Sequence, residues 1–188
     1  MPLTKLDPNA ALVVIDLQKG VVGLPTVHPA REIVDRSAQV ARAFRERRLP
    51  VVLVNATGAA PGRTDGGPRK ISFPDGWAEI VPELERHPDD HVVAKQRWGA
   101  FIGTSLDDYL RQRGVAQIFL TGVATSAGVE STARSAYDHG YNVVLIVDAM
   151  TDLDADAHQH SVRKIFPRLG ETTAANDVVK LLKENSAR

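Results

Sequence analysis

The stretch Ile118–Ala136, IFLTGVATSAGVESTARSA, decides the fold. An apolar run of Ile118, Phe119 and Leu120 enters a tight Thr121-Gly122-Val123-Ala124-Thr125 corner, and small residues then open an amphipathic segment. That order reads as strand, turn and helix. In an open α/β sheet such a joint lies at a strand's carboxyl end, where ligands bind. The helix start offers unpaired N–H groups and the positive end of the dipole, which favour an anion or a developing oxyanion. A nucleophile commonly stands at such a joint. Here the place is held by Gly128.

Working outward, the same alternation repeats. Ala11–Ile15 and Val51–Val54 are continuous apolar runs, as expected of strands covered on both faces, and Ala30–Arg48 between them has helical spacing. His91–Ala94 and Val115–Leu120 read as the next two strands, with a helix from Thr104 to Arg113 between them, Asp107 at its capping-box position and Gly114 as its stop. A helix over Ser126–His139 follows, stopped by Gly140, and Asn142–Val147 is a fifth strand ending at Asp148. Helices near Ala155–Ile165 and Asn176–Lys183 flank a short segment at Leu169–Thr172, and a further short helix is expected at Gly76–Leu84. Strands alternating with helices specify a three-layer α/β/α arrangement around a parallel, doubly wound sheet with right-handed crossovers. The 188 residues suit one domain over 1–188, with Asn55–Pro74 as a long Gly/Pro-rich loop.

Composition excludes several chemistries. Lys+Arg and Asp+Glu both number 23, so there is no basic excess to recruit nucleic acid or an anionic membrane. A formal charge of zero also does little to keep protomers apart. With no cysteine, disulfides, thiolate metal sites and cysteine nucleophiles are excluded. The start MPLTKLDPNA lacks a signal peptide's charged and apolar regions, and no apolar run reaches membrane-spanning length, which reads as a cytoplasmic protein.

Three positions could carry chemistry together. Asp16 and Lys95 each follow directly on a buried strand, at the rim where sites form, and the Thr121–Gly128 joint ends a third. Partial burial would raise the Asp16 pKa toward that of a general acid or base, and a nearby ammonium would counter that shift and help bind an acidic substrate. Arg97 and Trp98 could add a carboxylate contact and a stacking wall, although Trp98 also reads as core. Thr125 and Ser126 carry hydroxyls with no His placed to activate them, so helix capping is the better reading. His158 and His160 near Asp152, Asp154 and Asp156 have the composition of a metal cluster, but i and i+2 diverge on a helix, so a solvated helix start is expected and no metal. Arg63, Arg69 and Lys70 read as solvated loop residues, and no phosphate-binding glycine motif is present.

VVIDLQ at Val13–Gln18, VVAKQRWGAF at Val92–Phe101, LTGVATSAGVESTARSAYDHGYNV at Leu120–Val143 and VDAM at Val147–Met150 together resemble the isochorismatase-like hydrolases, a group that includes nicotinamidases and N-carbamoyl amidohydrolases. The resemblance covers nearly the whole chain. It implies a six-stranded parallel sheet, usually in a homo-oligomer (dimer or tetramer), and an Asp–Lys–Cys triad in which Asp16 is the acid/base, Lys95 the lysine, and Gly128 stands where the cysteine would be. It also implies a cis peptide at Val123–Ala124 and an oxyanion hole formed by the N–H groups of Ala124 and Gly128. Gln18, Arg97, Trp98 and Phe101, with Val123, Ala124 and Thr125, would line the substrate pocket. Without the thiol, thioester chemistry of the nicotinamidase or carbamoylase kind is not expected, and Asn55–Gly67 lacks the histidines of metal-binding nicotinamidases. Isochorismatases proper also dispense with the cysteine: an acidic Asp protonates the carbon of a vinyl ether and water captures the cation. Arg97 matches an arginine of the isochorismatase version of its motif. The chain also resembles a small bacterial branch that itself reads GVES. The expected activity is therefore cofactor-free hydrolysis of a small acidic metabolite, with Gly128 leaving room for water or a larger ligand. The alternative is a catalytically silent member that binds a metabolite or a partner protein.

Overall fold

The computed structural model describes residues 3–65 and 73–184. Its six strands are β1 (Ala10–Ile15), β2 (Val51–Ala56), β3 (His91–Lys95), β4 (Gln117–Val123), β5 (Asn142–Thr151) and β6 (Glu171–Thr173). They form one sheet in the order β3-β2-β1-β4-β5-β6, with every pairing parallel. The chain winds outward from β1 in one direction and from β4 in the other. The switch point of the topology therefore falls between these two strands, and ligand sites of such sheets form outside the carboxyl ends at that point.

Two cores lie on opposite faces because successive side chains of a strand alternate. Leu12 and Val14 of β1 pack beneath α1 (Ala30–Glu46), with Phe44 set edge-on to Phe119 at 5.3 Å between ring centres. The helix α5 (Ala175–Glu184) joins the same layer through Val178 and Leu182. Ala11, Val13 and Ile15 face the other way, onto α2 (Leu106–Gln112) and α3 (Glu130–Asp138). With both faces covered, a continuously apolar strand is the stable solution, and all six residues of β1 are buried.

Several sequence expectations need correction. Gly76–Leu84 forms turns and only one 3₁₀ turn at Pro82–Leu84, because Gly76 takes a positive φ of 78° and Pro82 stands at the start of that turn. The helix after Thr104 is shorter than expected, running over Leu106–Gln112, and Asp107 pairs with Arg111 and accepts from the Tyr141 hydroxyl instead of closing a capping box. β5 runs on to Thr151, past a register shift opposite Leu120 and Gly122. The expected helix over Ser126–His139 opens with a wide π turn at Thr125–Val129 before α3 begins. A second such turn, Ser161–Ile165, follows α4 (Ala155–His160). Arg69 and Lys70 lie outside the described residues, and Arg63 is exposed. No described helix is long and apolar enough to cross a membrane.

Candidate active site

Asp16 leaves β1 in the left-handed region, with φ at 51°. An L-residue there costs roughly 1–2 kcal/mol, and Asp is among the side chains that bear it best. The neighbouring β4 bends sharply at Gly122, whose φ is 121° and where a Cβ would stand 1.9 Å from the Ile15 carbonyl oxygen. Only glycine permits that approach, so β4 can lie against β1 while its chain turns into the joint. The Val123–Ala124 peptide that follows is cis.

Lys95 closes the arrangement from two strands away. It pairs in register with Ala56 of β2, so two inter-strand spacings, roughly 9–10 Å, separate it from the end of β1, and the Lys95 and Asp16 side chains bridge that distance together. Its Nζ donates to Asp16 Oδ2 at 2.7 Å and to the Arg97 carbonyl at 3.1 Å. The pair is close to shut off from water, with 3% of the Lys95 side chain and 10% of the Asp16 side chain exposed. Burial raises the Asp16 pKa from 3.8 to about 6, against the opposing attraction and hydrogen bond of Lys95. Asp16 Oδ1 is buried and has no hydrogen-bond partner among the described residues. One oxygen of the carboxyl is thus saturated by an ammonium, and the other is free to carry a proton.

The turn that carries Gly128 is packed directly on this carboxyl. A Cβ added at Gly128 would lie 3.3 Å from Asp16 Oδ2 and 3.0 Å from Ile15 Cγ2. The position therefore points at Asp16, but it does not leave the open space expected for a water or a larger ligand: Asp16 and Ile15 already occupy it. Three side chains hold the turn. Asp152 Oδ2 accepts from the Ser126 N–H at 2.6 Å, Thr125 Oγ1 lies 2.9 Å from His158 Nδ1, and Thr132 Oγ1 donates to the Gly128 carbonyl at 2.7 Å.

The structure brings together only part of the expected pocket. Asp16, Lys95 and Gly128 converge. Gln18 does not line a pocket: it is wholly buried, its Nε2 donates to the carbonyls of Ala56 and Trp77, and its Oε1 accepts from the Ala56 N–H, so its amide is spent on backbone at the end of β2 and at Trp77. Thr125 is likewise wholly buried, against His158. Val123 belongs to one core, and Phe101, buried beside His139 and Tyr141, to the other. Arg97 lines a cavity of about 380 Å³ with Thr57, Ala94, Gln96, Ile102 and Gly103. Ala94 precedes Lys95 in an extended strand and projects to the opposite face, so that cavity and the ion pair lie on different sides of β3. Trp98 is 58% exposed at the rim, neither core nor a wall beside Asp16. Ala124 is half-buried, and its carbonyl accepts from Ala127 and Val129. Among the described residues, Ser126 makes no hydrogen bond to Asp16, whose side chain is bound there by Lys95 alone.

Asp152 and His158 were expected on a solvated helix start, yet both are buried and brace the turn. His158 sits edge-on to His28, with ring centres 4.8 Å apart, and burial lowers its pKa, helped by His28. Among the described residues no three His, Cys, Asp or Glu side chains are placed to hold a metal ion.

A model of the isochorismatase domain matches residues 10–177, from the first residue of β1 into α5, with Asp16, Lys95 and Gly128 inside the matched span. The chain belongs to the isochorismatase family. It is 38% identical to YwoC of Bacillus subtilis, described as an uncharacterized isochorismatase family protein, over 93% of this chain and 95% of that one. A solved isochorismatase family protein from Burkholderia thailandensis is similar, with a TM-score of 0.90 and 44% identity over 95% of this chain and 97% of its own. A streptothricin hydrolase of Streptomyces noursei is 34% identical over 78% of this chain, which spans 51% of that protein's length. The isochorismatase family fold and the parallel sheet read from the sequence are the same architecture.

Proposed function

We propose that this family member is a cofactor-free hydrolase in which Asp16 moves the proton, Lys95 tunes it, and no thiol takes part. The sequence contains no cysteine, and the side-chain position that faces Asp16 is glycine, so a thioester route is closed. The observation that carries the reading is the Asp16 carboxyl itself. Burial lifts its pKa to about 6, and Oδ1 is left unpaired while Lys95 holds Oδ2. A general acid works best with a pKa near the operating pH, and a free oxygen facing away from the ammonium is where the proton would sit.

The reaction class that fits is hydrolysis of a vinyl ether on a small acid. Oδ1–H of Asp16 protonates the enol-ether carbon, and the ether oxygen shares the resulting cation. Water adds to that cation and returns a proton to the Asp16 carboxylate, and the hemiketal separates into a ketone and an alcohol. The ammonium of Lys95 favours a substrate carboxylate nearby and restrains the Asp16 pKa from rising further.

The near-closure of the pair favours a second reading, a silent member that binds a metabolite or partner without turnover. Incubation of the purified protein with small carboxylic acids carrying a vinyl ether, an amide or a ureido group separates the two. The proposal expects turnover of a vinyl-ether acid that falls by about 10²–10⁴ in Asp16→Asn, the usual worth of a general acid. Turnover that survives Asp16→Asn removes Asp16 from the chemistry, and binding without turnover of any class establishes the silent reading.

A further inference from the structure

Lys95 does not end the ordered path to the carboxyl. Its Nζ also donates to the Arg97 carbonyl, so the backbone that follows β3 is part of the cradle of the ion pair. That backbone is pinned once more, three residues on. The Ala100 N–H donates to Thr132 Oγ1 at 3.1 Å, and the same hydroxyl donates to the Gly128 carbonyl at 2.7 Å. Thr132 is completely buried, and so is Ala100. Gly99 brings the two segments close enough, since a Cβ there would lie 3.4 Å from the Ser131 carbonyl oxygen.

We propose that Thr132 is a positioning residue for the Asp16–Lys95 pair: its hydroxyl ties the segment after Lys95 to the Gly128 turn and so keeps water out of the space around the carboxyl. This rests on the reading of Asp16 as the proton-moving group and adds a residue that touches neither the carboxyl nor the ammonium. A single hydroxyl has one proton to give and lone pairs to accept with, and here both capacities are spent, on two different segments. Buried N–H groups are rarely left without an acceptor. Removing this hydroxyl therefore leaves the Ala100 N–H to find water, which enters beside the Arg97 carbonyl that holds Lys95. Burial is the main cause of the raised Asp16 pKa, and Lys95 opposes it. Admitting water weakens the first and leaves the second, so the Asp16 midpoint moves down.

The test is the titration of the Asp16 carboxyl carbon by NMR in the whole chain, in the unsubstituted protein, Thr132→Val and Thr132→Ser. The unsubstituted protein should titrate near 6. Thr132→Val keeps the shape and loses the hydroxyl, and its midpoint should fall by about half a pH unit or more, about a threefold loss of proton affinity. Thr132→Ser keeps the hydroxyl and should titrate with the unsubstituted protein. A hydroxyl that served stability alone would lower the melting temperature of Thr132→Val without moving the midpoint, and that result overturns the proposal while leaving the reading of Asp16 intact. An Asp16 that titrates near 3.8 in the unsubstituted protein overturns both. If Thr132→Val does not fold, hydrogen exchange in the unsubstituted chain decides: the Ala100 amide should be protected like the buried strands, and exchange as fast as that of exposed Gly103 refutes the tie.

Discussion

Replacing Asp16 by Asn should change how stability depends on pH, by an amount the structure sets. The folded carboxyl has a pKa of about 6, against 3.8 for the unperturbed group that stands for the unfolded chain. The folded state therefore holds the Asp16 proton more tightly than the unfolded state does. This contribution to stability is fully present below pH 3.8 and is lost as pH rises through about 6. Integrated from pH 4 to 7.5, a shift of this size amounts to about 2 kcal/mol, since one pH unit of differential proton affinity is worth about 1.4 kcal/mol. Asp16→Asn cannot lose a proton at this position, so the variant lacks this slope. Urea unfolding followed by circular dichroism at pH 4 and 7.5 gives the four values needed. The unsubstituted protein should lose about 2 kcal/mol more than Asp16→Asn across the interval, since groups remote from Asp16 cancel in the difference. Parallel curves, or a relative gain by the unsubstituted protein as pH rises, would show that the Asp16 carboxyl is not buried as described and would refute the reasoning.

Two further predictions concern the neighbours of that carboxyl. Lys95→Met keeps the length of the side chain and removes the attraction that lowers the Asp16 pKa, so the Asp16 midpoint read by NMR should rise above 6. A midpoint that stays put or falls would mean that the 2.7 Å contact is not maintained in solution. Gly128→Ala should destabilise the fold by about 1 kcal/mol in urea unfolding, because Ile15 is locked in the sheet and Asp16 is held by Lys95, so neither can retreat from the new methyl. A gain in stability would show that the space beside Asp16 is open.

The strands were legible because burial on both faces writes itself as an unbroken apolar run, as in ALVVI and NVVLIV. Asp16 and Lys95 were legible for the same reason in reverse: each is the first charged residue after such a run, and strand ends in a parallel sheet converge on one rim. The side chains that brace the rim were not. Asp152 meets Ser126 across 26 positions, and His158 meets Thr125 across 33, so nothing local distinguishes them from a polar helix start. Gln18 stands two residues from Asp16 and looks like a pocket residue, yet its amide is consumed by backbone at Ala56, the end of β2, and at Trp77. Trp98 and Phe101 both leave the pocket expected for them because the backbone after Lys95 approaches α3 closely at Gly99, with Phe101 buried and Trp98 left outside. The spacing of Gly128 and Thr132, one helical turn apart, was visible, but the Ala100 amide that makes the hydroxyl matter comes from another strand's loop.

The proposed hydrolysis depends on one buried carboxyl, that of Asp16, having a proton to give. The pH dependence of kcat/KM for vinyl-ether hydrolysis tests it most directly. The account predicts a plateau at low pH and a fall of about tenfold per pH unit above a midpoint near 6, moving upward in Lys95→Met. A rate that climbs with pH through that midpoint would mean that a base, and not the Asp16 acid, limits the reaction, and would contradict the account.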